Sequence, residues 1–139
     1  MFNPIVLKNA ELLVRLLMAS ILLIAGISKL FSAGGFAAYY AQLFQGDLRI
    51  LLPAGLVEAY LAAIPYIEVS LGLMLLITAY RFYALLAWFV FMWSLLLGHY
   101  ILQEWSAVNQ MLDYFFLGIL CYVLPYHRHW RDFRFSADG

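Results

Sequence analysis

The chain carries four hydrophobic stretches, each close to the length that a helix needs to cross a lipid bilayer. They cover about residues 12–31, 56–79, 82–102 and 108–126. A helix rises about 1.5 Å per residue, so about 20 residues cross the roughly 30 Å of hydrocarbon. Because lipid offers the backbone no hydrogen-bond partner, these stretches are predicted to be helices.

Composition supports an integral membrane protein and excludes several other classes. Hydrophobic residues make up 66% of the 139 residues and charged residues only 12%. Too little polar surface remains to coat a soluble globule, and a disordered chain or a coiled coil is excluded for the same reason. The formal net charge is zero, so nothing favours binding to nucleic acid.

The number and positions of cysteines and histidines exclude some types of redox and metal site. The single cysteine, Cys121, excludes an intramolecular disulfide and a dithiol redox pair. The sequence shows no zinc spacing and no C-x-x-C-H haem attachment site. His99 is predicted near the opposite end of the bundle from His127 and His129, so one haem cannot be held by two histidines of the chain. No haem or metal is therefore indicated.

The connections between the stretches predict the topology. The second and third spans are joined by Tyr80-Arg81, and the third and fourth by residues 103–107. Short connections make sequential helices antiparallel neighbours. The predicted fold is all-α: a single-domain, integral membrane, up-down four-helix bundle. The first span is too long and too charged for a cleaved signal peptide, since it holds Arg15 and Lys29.

The long first connection, residues 32–55, has an apolar stripe at helical spacing. It is predicted to contain an amphipathic helix in the first extracytoplasmic connection. Two interpretations are open: an interfacial helix on the outer leaflet, or a lid over a pocket between the spans. The stripe consists of Phe36, Tyr39, Tyr40, Leu43 and Phe44.

Basic residues near the span ends predict the orientation. Most of them fall on the side that holds both termini, and this side is expected to be cytoplasmic, in a bacterial inner membrane. Residues 127–139 would form a basic cytoplasmic tail, with His127 and His129 against anionic lipid headgroups. The basic residues on that side are Lys8, Arg15, Arg81, Arg128, Arg131 and Arg134, against Lys29 and Arg49 on the other.

Ionisable residues inside the spans are the most informative feature for function. Each costs roughly 2.5–3.5 kcal/mol at mid-helix, so it is expected to face the bundle and to find a partner. The residues are Arg15, Lys29, Glu58, Glu68, His99 and Asp113. At about 100° per residue, each span has one face that carries polar side chains. Burying these faces together predicts a polar seam.

The ionisable residues of this seam are predicted to lie at different depths in the membrane. Lys29, Glu68, His99 and Asp113 are predicted to cluster in the outer half, while Arg15 lies toward the cytoplasm and holds the first span against Glu68. The cluster is either a static polar lock with Lys29 snorkelling to the interface, a proton or quinone site, or a solvent-facing vestibule. Small residues are predicted to let the first two spans approach closely, and these are Ala19, Gly26 and Gly72.

Two stretches of the sequence resemble a known family. Residues 15–31, RLLMASILLIAGISKLF, are similar to the first helix of the DoxX-like membrane proteins. Residues 52–81, LPAGLVEAYLAAIPYIEVSLGLMLLITAYR, resemble the second helix of that family, and the likeness covers about residues 12–126. The family pattern falls on Arg15, Gly26, Lys29, Glu68 and Gly72.

The resemblance implies a four-helix membrane protein related to MauE-type proteins and to the small subunit of a thiosulfate:quinone oxidoreductase. The C-terminal sequence departs from the family, because PYHRHWRDFRFSADG stands where a G-x-G-x-x-S-x-D ending is often found. This departure weakens a transfer of the thiosulfate activity. The sequence also offers no nucleotide loop, no nucleophile beside a base and no metal cluster.

The expected function is therefore that of an accessory subunit, or a quinone- or proton-handling component, of a membrane redox system. Its partners would be the lipid bilayer and a membrane or peripheral oxidoreductase. One alternative is a non-catalytic assembly factor or scaffold for another membrane protein. A second is a small-solute transporter, which would need a homo-oligomer because four short helices leave limited room for a gated path.

Overall fold

The computed structural model describes residues 3–32, 34–45 and 52–127. Within these residues the fold is all-α, and no strand occurs. The helices are α1 (Pro4–Phe31), α2 (Gly35–Gln45), α3 (Ala54–Leu76), α4 (Arg81–Ile101) and α5 (Trp105–Val123), with a short 3-10 turn at Thr78–Tyr80. Four of these helices, all but α2, are long and apolar enough to cross a membrane. The chain is a multi-pass membrane protein, as predicted.

The helix ends differ from the predicted span ends by several residues. Helix α1 begins at Pro4, as an N-cap residue followed by proline predicts, and so extends beyond the apolar core that starts at residue 12. The Asn3 side chain accepts a hydrogen bond from the Ile5 backbone N–H at 2.9 Å. Helix α5 runs over Trp105–Val123 rather than 108–126. Hydropathy marks the part of a helix that suits lipid, whereas caps and turns determine where the helix begins and ends.

The four long helices form a closed up-down bundle. Helix α1 packs against α3 and α5, and α4 packs against the same two helices. The core between them consists of large side chains such as Met18, Leu75, Leu85 and Trp88, each no more than 1% exposed. The predicted up-down four-helix bundle is confirmed.

Helices α1 and α3 approach each other closely through small residues. A Cβ atom on Gly26 would lie 2.8 Å from the Pro65 carbonyl oxygen, and one on Gly72 would lie 2.8 Å from Leu23 Cγ. Ala19 is fully buried, and its carbonyl oxygen also faces Gly72. The absence of larger side chains at these positions lets the two backbones touch.

Helix α2 is the predicted helix in the long connection, and it packs against the bundle. Phe36, Tyr40 and Phe44 are partly buried on the core, whereas Tyr39 on the other face is 57% exposed. We call this end of the bundle the α2 end, and the opposite end, where α4 begins, the Arg81 end. The α2 helix thus covers one end of the space between the spans.

Candidate functional site

Buried polar side chains form two groups, one at each end of the bundle. We define the Arg81 cluster as Glu11, Arg15 and Arg81. At the other end a cavity of about 230 Å³ is lined by Lys29 and Glu68, among other residues. The two groups of polar side chains have different surroundings, and this difference decides which group can bind a ligand.

In the Arg81 cluster one carboxylate faces two guanidinium groups. Glu11 Oε1 lies 3.2 Å from Arg15 Nε and 2.8 Å from Arg81 Nε. Arg15 also donates to the Leu75 carbonyl oxygen at 2.9 Å and to the Thr78 hydroxyl at 3.3 Å. Glu11 is fully buried and Arg15 is 2% exposed. The cluster therefore joins α1 to the end of α3 and the start of α4.

Arg81 also ties α4 to the end of α5. Its Nη2 donates to the carbonyl oxygen of Cys121 and approaches that of Leu124 at 3.3 Å. Pro125 has no N–H to reach the Cys121 carbonyl four residues earlier, so Arg81 replaces the missing donor. A cation is also favourable at the negative end of a helix dipole. Cys121 is fully buried here, and its thiol donates to Glu11 Oε1 at 3.6 Å.

Two predictions that concern this end are wrong. Arg15 does not hold the first span against Glu68, because it binds Glu11 and the Leu75 carbonyl, two helical turns beyond Glu68. His127 is not directed at lipid headgroups, because it is 6% exposed and its Nε2 lies 2.9 Å from Asn9 Oδ1. His129, Arg49, Arg128, Arg131 and Arg134 lie outside the described residues.

The cavity lies between α1, α3, α4 and α5, beneath α2. Its wall is mostly apolar, with a few polar groups, which is typical of a small-molecule site. The polar residues of the wall are Lys29, Tyr40, Tyr60, Glu68, Ser94, His99 and Tyr114. Helix α2 contributes Phe36, Tyr40 and Phe44 to the wall. The arrangement corresponds to the interpretation of α2 as a lid over a pocket.

Lys29 and Glu68 form an ion pair across α1 and α3. Side chains on a helix tilt toward its N-terminus, so Lys29, in the last turn of α1, reaches back into the bundle toward Glu68. The predicted snorkelling of Lys29 to the interface is therefore wrong. Phe36 places its ring centroid 4.7 Å from the Lys29 ammonium group, which adds a cation–π contact.

One carboxylate oxygen of Glu68 is buried without a hydrogen bond from any described residue, and this distinguishes the site. Glu68 is 3% exposed, and its Oε2 has no hydrogen-bond partner among the described residues. An unmatched buried carboxylate oxygen is costly, because it has lost its water and gained no donor. Since Glu68 lines the cavity, a ligand with a hydroxyl or N–H group could supply that donor.

His99 is oriented by a carboxylate at the α2 end. Its Nδ1 lies 2.6 Å from Glu104 Oε2, across a tight turn in which Gln103 has a φ of 57°. The ring of Tyr40 meets His99 edge-on at 6.1 Å. Burial, followed by the charge of Glu104, raises the pKa of Tyr40 above its ordinary value, so its hydroxyl keeps its proton.

Tyr60 and Ser94 link α3 to α4 across the cavity. Their hydroxyl oxygens lie 2.6 Å apart, and the Ser94 hydroxyl lies 2.7 Å from the Phe91 carbonyl oxygen. A carbonyl can only accept, so Ser94 donates to Phe91 and Tyr60 donates to Ser94. This chain fixes the hydroxyl groups in the wall.

The structure brings Lys29, Glu68 and His99 to one cavity, but it does not bring Asp113 there. Asp113 lies near the middle of α5 and its side chain is exposed. A helical wheel gives the relative directions of side chains on one helix but not which direction faces the bundle. Glu58, in the second turn of α3, is also exposed.

Sequence reasoning missed two of the three residues of the Arg81 cluster. Glu11 lies one residue before the hydrophobic stretch that begins at residue 12, so the ionisable residues of the spans do not include it. The signal was present, since Glu11 and Arg15 are four residues apart, a spacing that pairs charges on a helix. Arg81 was assigned only to a turn, and no local pattern indicates that it folds inward.

Comparison with protein-family models, with curated proteins and with solved structures finds no match for this chain. Fold and site together define a multi-pass helical membrane protein with an ion pair inside a mostly apolar cavity.

Proposed function

We propose that the cavity binds the ring of a membrane quinone, and that the protein is an accessory, proton-handling component of a membrane redox system. The observation that carries the proposal is the buried Glu68 carboxylate in a mostly apolar cavity, with Oε2 unmatched among the described residues. A quinol ring suits this wall, because it is apolar on its faces and carries hydroxyl groups at its edges.

Each polar group has a role in this proposal. Glu68 Oε2 accepts the hydrogen bond of a quinol hydroxyl, while Lys29 is the ion-pair partner of Oε1. His99, oriented by Glu104, is the second group that accepts a proton. Oxidation of a quinol to a quinone releases two protons and two electrons. The protons leave by Glu68 and His99, and a partner oxidoreductase takes the electrons.

The resemblance to DoxX-like proteins supports the same proposal. Its pattern residues include Lys29 and Glu68, the two residues of the cavity ion pair. The orientation completes the proposal: both termini lie in the cytoplasm of a bacterium, and the α2 end with its cavity lies at the outer face of the inner membrane. The partner is a membrane or peripheral oxidoreductase.

A binding measurement with matched variants tests the proposal. The full chain is placed in lipid nanodiscs and titrated with a short-tailed benzoquinol. We expect Glu68→Gln to weaken binding at least tenfold. Glu58→Gln makes the same chemical change at an exposed position of the same helix, and it should bind like the wild type. Equal binding by both variants would overturn the proposal.

A second variant separates loss of binding from loss of fold. Leu95 lines the cavity and is only partly buried, so Leu95→Trp should fill the cavity without removing a polar contact. We expect it to keep the thermal transition of the wild type and to lose quinol binding. If quinol still binds to this variant with unchanged affinity, the cavity is not the site.

A further inference from the structure

A polar stripe on α5 faces away from the bundle, and nothing in the proposed quinone site uses it. Within the described residues, α1 and α3 each bury seven residues, whereas α5 buries only Met111, Gly118 and Cys121. Successive residues turn by about 100°, and this places the stripe about 120° around the helix from those three. We define the α5 stripe as Ser106, Asn109, Gln110 and Asp113, all exposed.

The stripe reaches the middle of the membrane. Helix α5 has 19 residues, and Asp113 lies next to its central residue. Asp113 has no hydrogen bond or ion pair with another residue of the described part of the chain. Ionisable groups at this depth almost always face protein or water rather than lipid tails. A protein surface is therefore expected to cover the stripe.

The composition of the stripe indicates what covers it. Asp113 supplies acceptors, and the amides of Asn109 and Gln110 supply donors, so the stripe is complementary to itself. Of the lysines and arginines in the described residues, Arg15 and Arg81 are buried and Lys29 is bound to Glu68. Lys8 lies near the start of α1, at the Arg81 end and not at the depth of Asp113. A second copy would therefore meet Asp113 with amide groups rather than with a positive charge.

Membrane orientation determines the symmetry of such a pair. Two copies inserted in the same direction are related by a two-fold axis along the membrane normal, which makes their α5 helices parallel. In a two-fold interface, residue i contacts residue j and j contacts i. Gln110 lies one turn from Asp113, about 4.5 Å along the axis, and its side chain is long enough to bridge that distance to Asp113 of the second copy.

We propose that the protein forms a parallel homodimer through the α5 stripe, in which the Gln110 and Asn109 amides of each copy donate to Asp113 of the other. Polar side chains of this kind associate membrane helices by hydrogen bonding between them. The proposal is independent of what the cavity binds.

Disulfide cross-linking in the native membrane tests the interface. Both variants carry Cys121→Ser, so that the introduced cysteine is the only one. Asn109→Cys places a thiol on the stripe, and Leu112→Cys places one on a neighbouring exposed face of α5. After mild oxidation we expect a dimer for Asn109→Cys and little dimer for Leu112→Cys. Equal cross-linking at both positions, or cross-linking of Asn109→Cys to a different protein, would overturn the proposal.

Association measured in lipid nanodiscs provides a second test. The Gln110→Leu/Asp113→Leu double variant removes the polar groups while it keeps the helix apolar, so misfolding is not expected. We expect its dimer dissociation constant to rise at least tenfold by native mass spectrometry. Ser70→Leu, an exposed position on α3, should associate like the wild type. A wild-type protein that is monomeric under these conditions would contradict the proposal.

Discussion

The two ends of the bundle bury charge in different ways. In the Arg81 cluster, two guanidinium groups flank one carboxylate, and each also donates to a carbonyl oxygen at the end of α3 or α5. At the α2 end a single lysine meets Glu68, which lines a cavity and whose other oxygen has no hydrogen bond among the described residues. Charges matched by the protein's own groups fix helices together, whereas an unmatched group beside a space can bind a ligand.

One atom complicates this comparison. Glu11 Oε2 also has no hydrogen bond among the described residues. Glu11 differs from Glu68 because two guanidinium groups flank it and because it is not part of the cavity wall. The neighbouring charges compensate its carboxylate, which lies apart from the cavity. The contrast between the ends therefore rests on charge and space together.

The largest effect is expected at the Arg81 end. Glu11→Gln leaves Arg15 and Arg81 buried with no carboxylate between them. Breaking a buried pair in this way costs about 3–5 kcal/mol, measured as the free energy of unfolding in a detergent–SDS titration. Glu58→Gln, at an exposed position, is the control and should leave this value unchanged. A loss below about 1 kcal/mol would show that the cluster does not fix the helices.

A smaller loss of stability is expected where α1 and α3 approach closely, since both helices contribute to the two ends of the bundle. Gly26→Ala places a methyl group 2.8 Å from the Pro65 carbonyl oxygen, so α1 and α3 must separate. Overpacking of this kind costs about 1–3 kcal/mol. Gly55→Ala is the matched control, because a Cβ there meets no atom within 4 Å. Equal thermal transitions for the two variants would contradict the close approach of these helices.

Arg81→Lys separates the contribution of the hydrogen bonds between Arg81 and α5 from the contribution of its positive charge. Lysine keeps the positive charge but lacks the planar group that reaches Glu11 and the α5 carbonyls together. We expect a loss of about 1–2 kcal/mol, the value of one or two hydrogen bonds. Hydrogen exchange should show earlier opening at the end of α5 than in α3. Uniform opening of both helices would show that Arg81 does not cap α5.

The smallest effect expected is a gain in stability from Gln103→Gly, in the turn between His99 and Glu104. Gln103 has a φ of 57°, a conformation that suits glycine better than a residue with a Cβ atom. Gln103→Gly should stabilise the protein by about 0.5–1 kcal/mol if the turn keeps its shape, as a higher midpoint of thermal unfolding would show. Ser106→Gly, at an exposed position in the first turn of α5, lacks this reason and should destabilise the helix.

The sequence predicted the fold well, because hydropathy and short turns depend on local residues. It also placed Lys29, Glu68 and His99 in one half of the bundle, since the helical repeat and the depth of each residue follow from counting. It could not say which way Asp113 faces or that Arg81 folds inward, because both depend on how the helices rotate against one another. Rotation is decided by contacts such as Gly26 on Pro65, which join residues far apart in the chain.

The central claim is that Glu11 fixes the structure and Glu68 binds a ligand, and the same chemical change at both positions tests it directly. Glu11→Gln and Glu68→Gln are compared for the free energy of unfolding and for quinol affinity in nanodiscs. We predict that Glu11→Gln mainly lowers the free energy of unfolding. Glu68→Gln should lower quinol affinity at least tenfold, and its loss of stability should be less than half of the loss that Glu11→Gln causes. If Glu68→Gln instead destabilises the protein as much as Glu11→Gln and binds quinol normally, both ends are structural and the account is wrong.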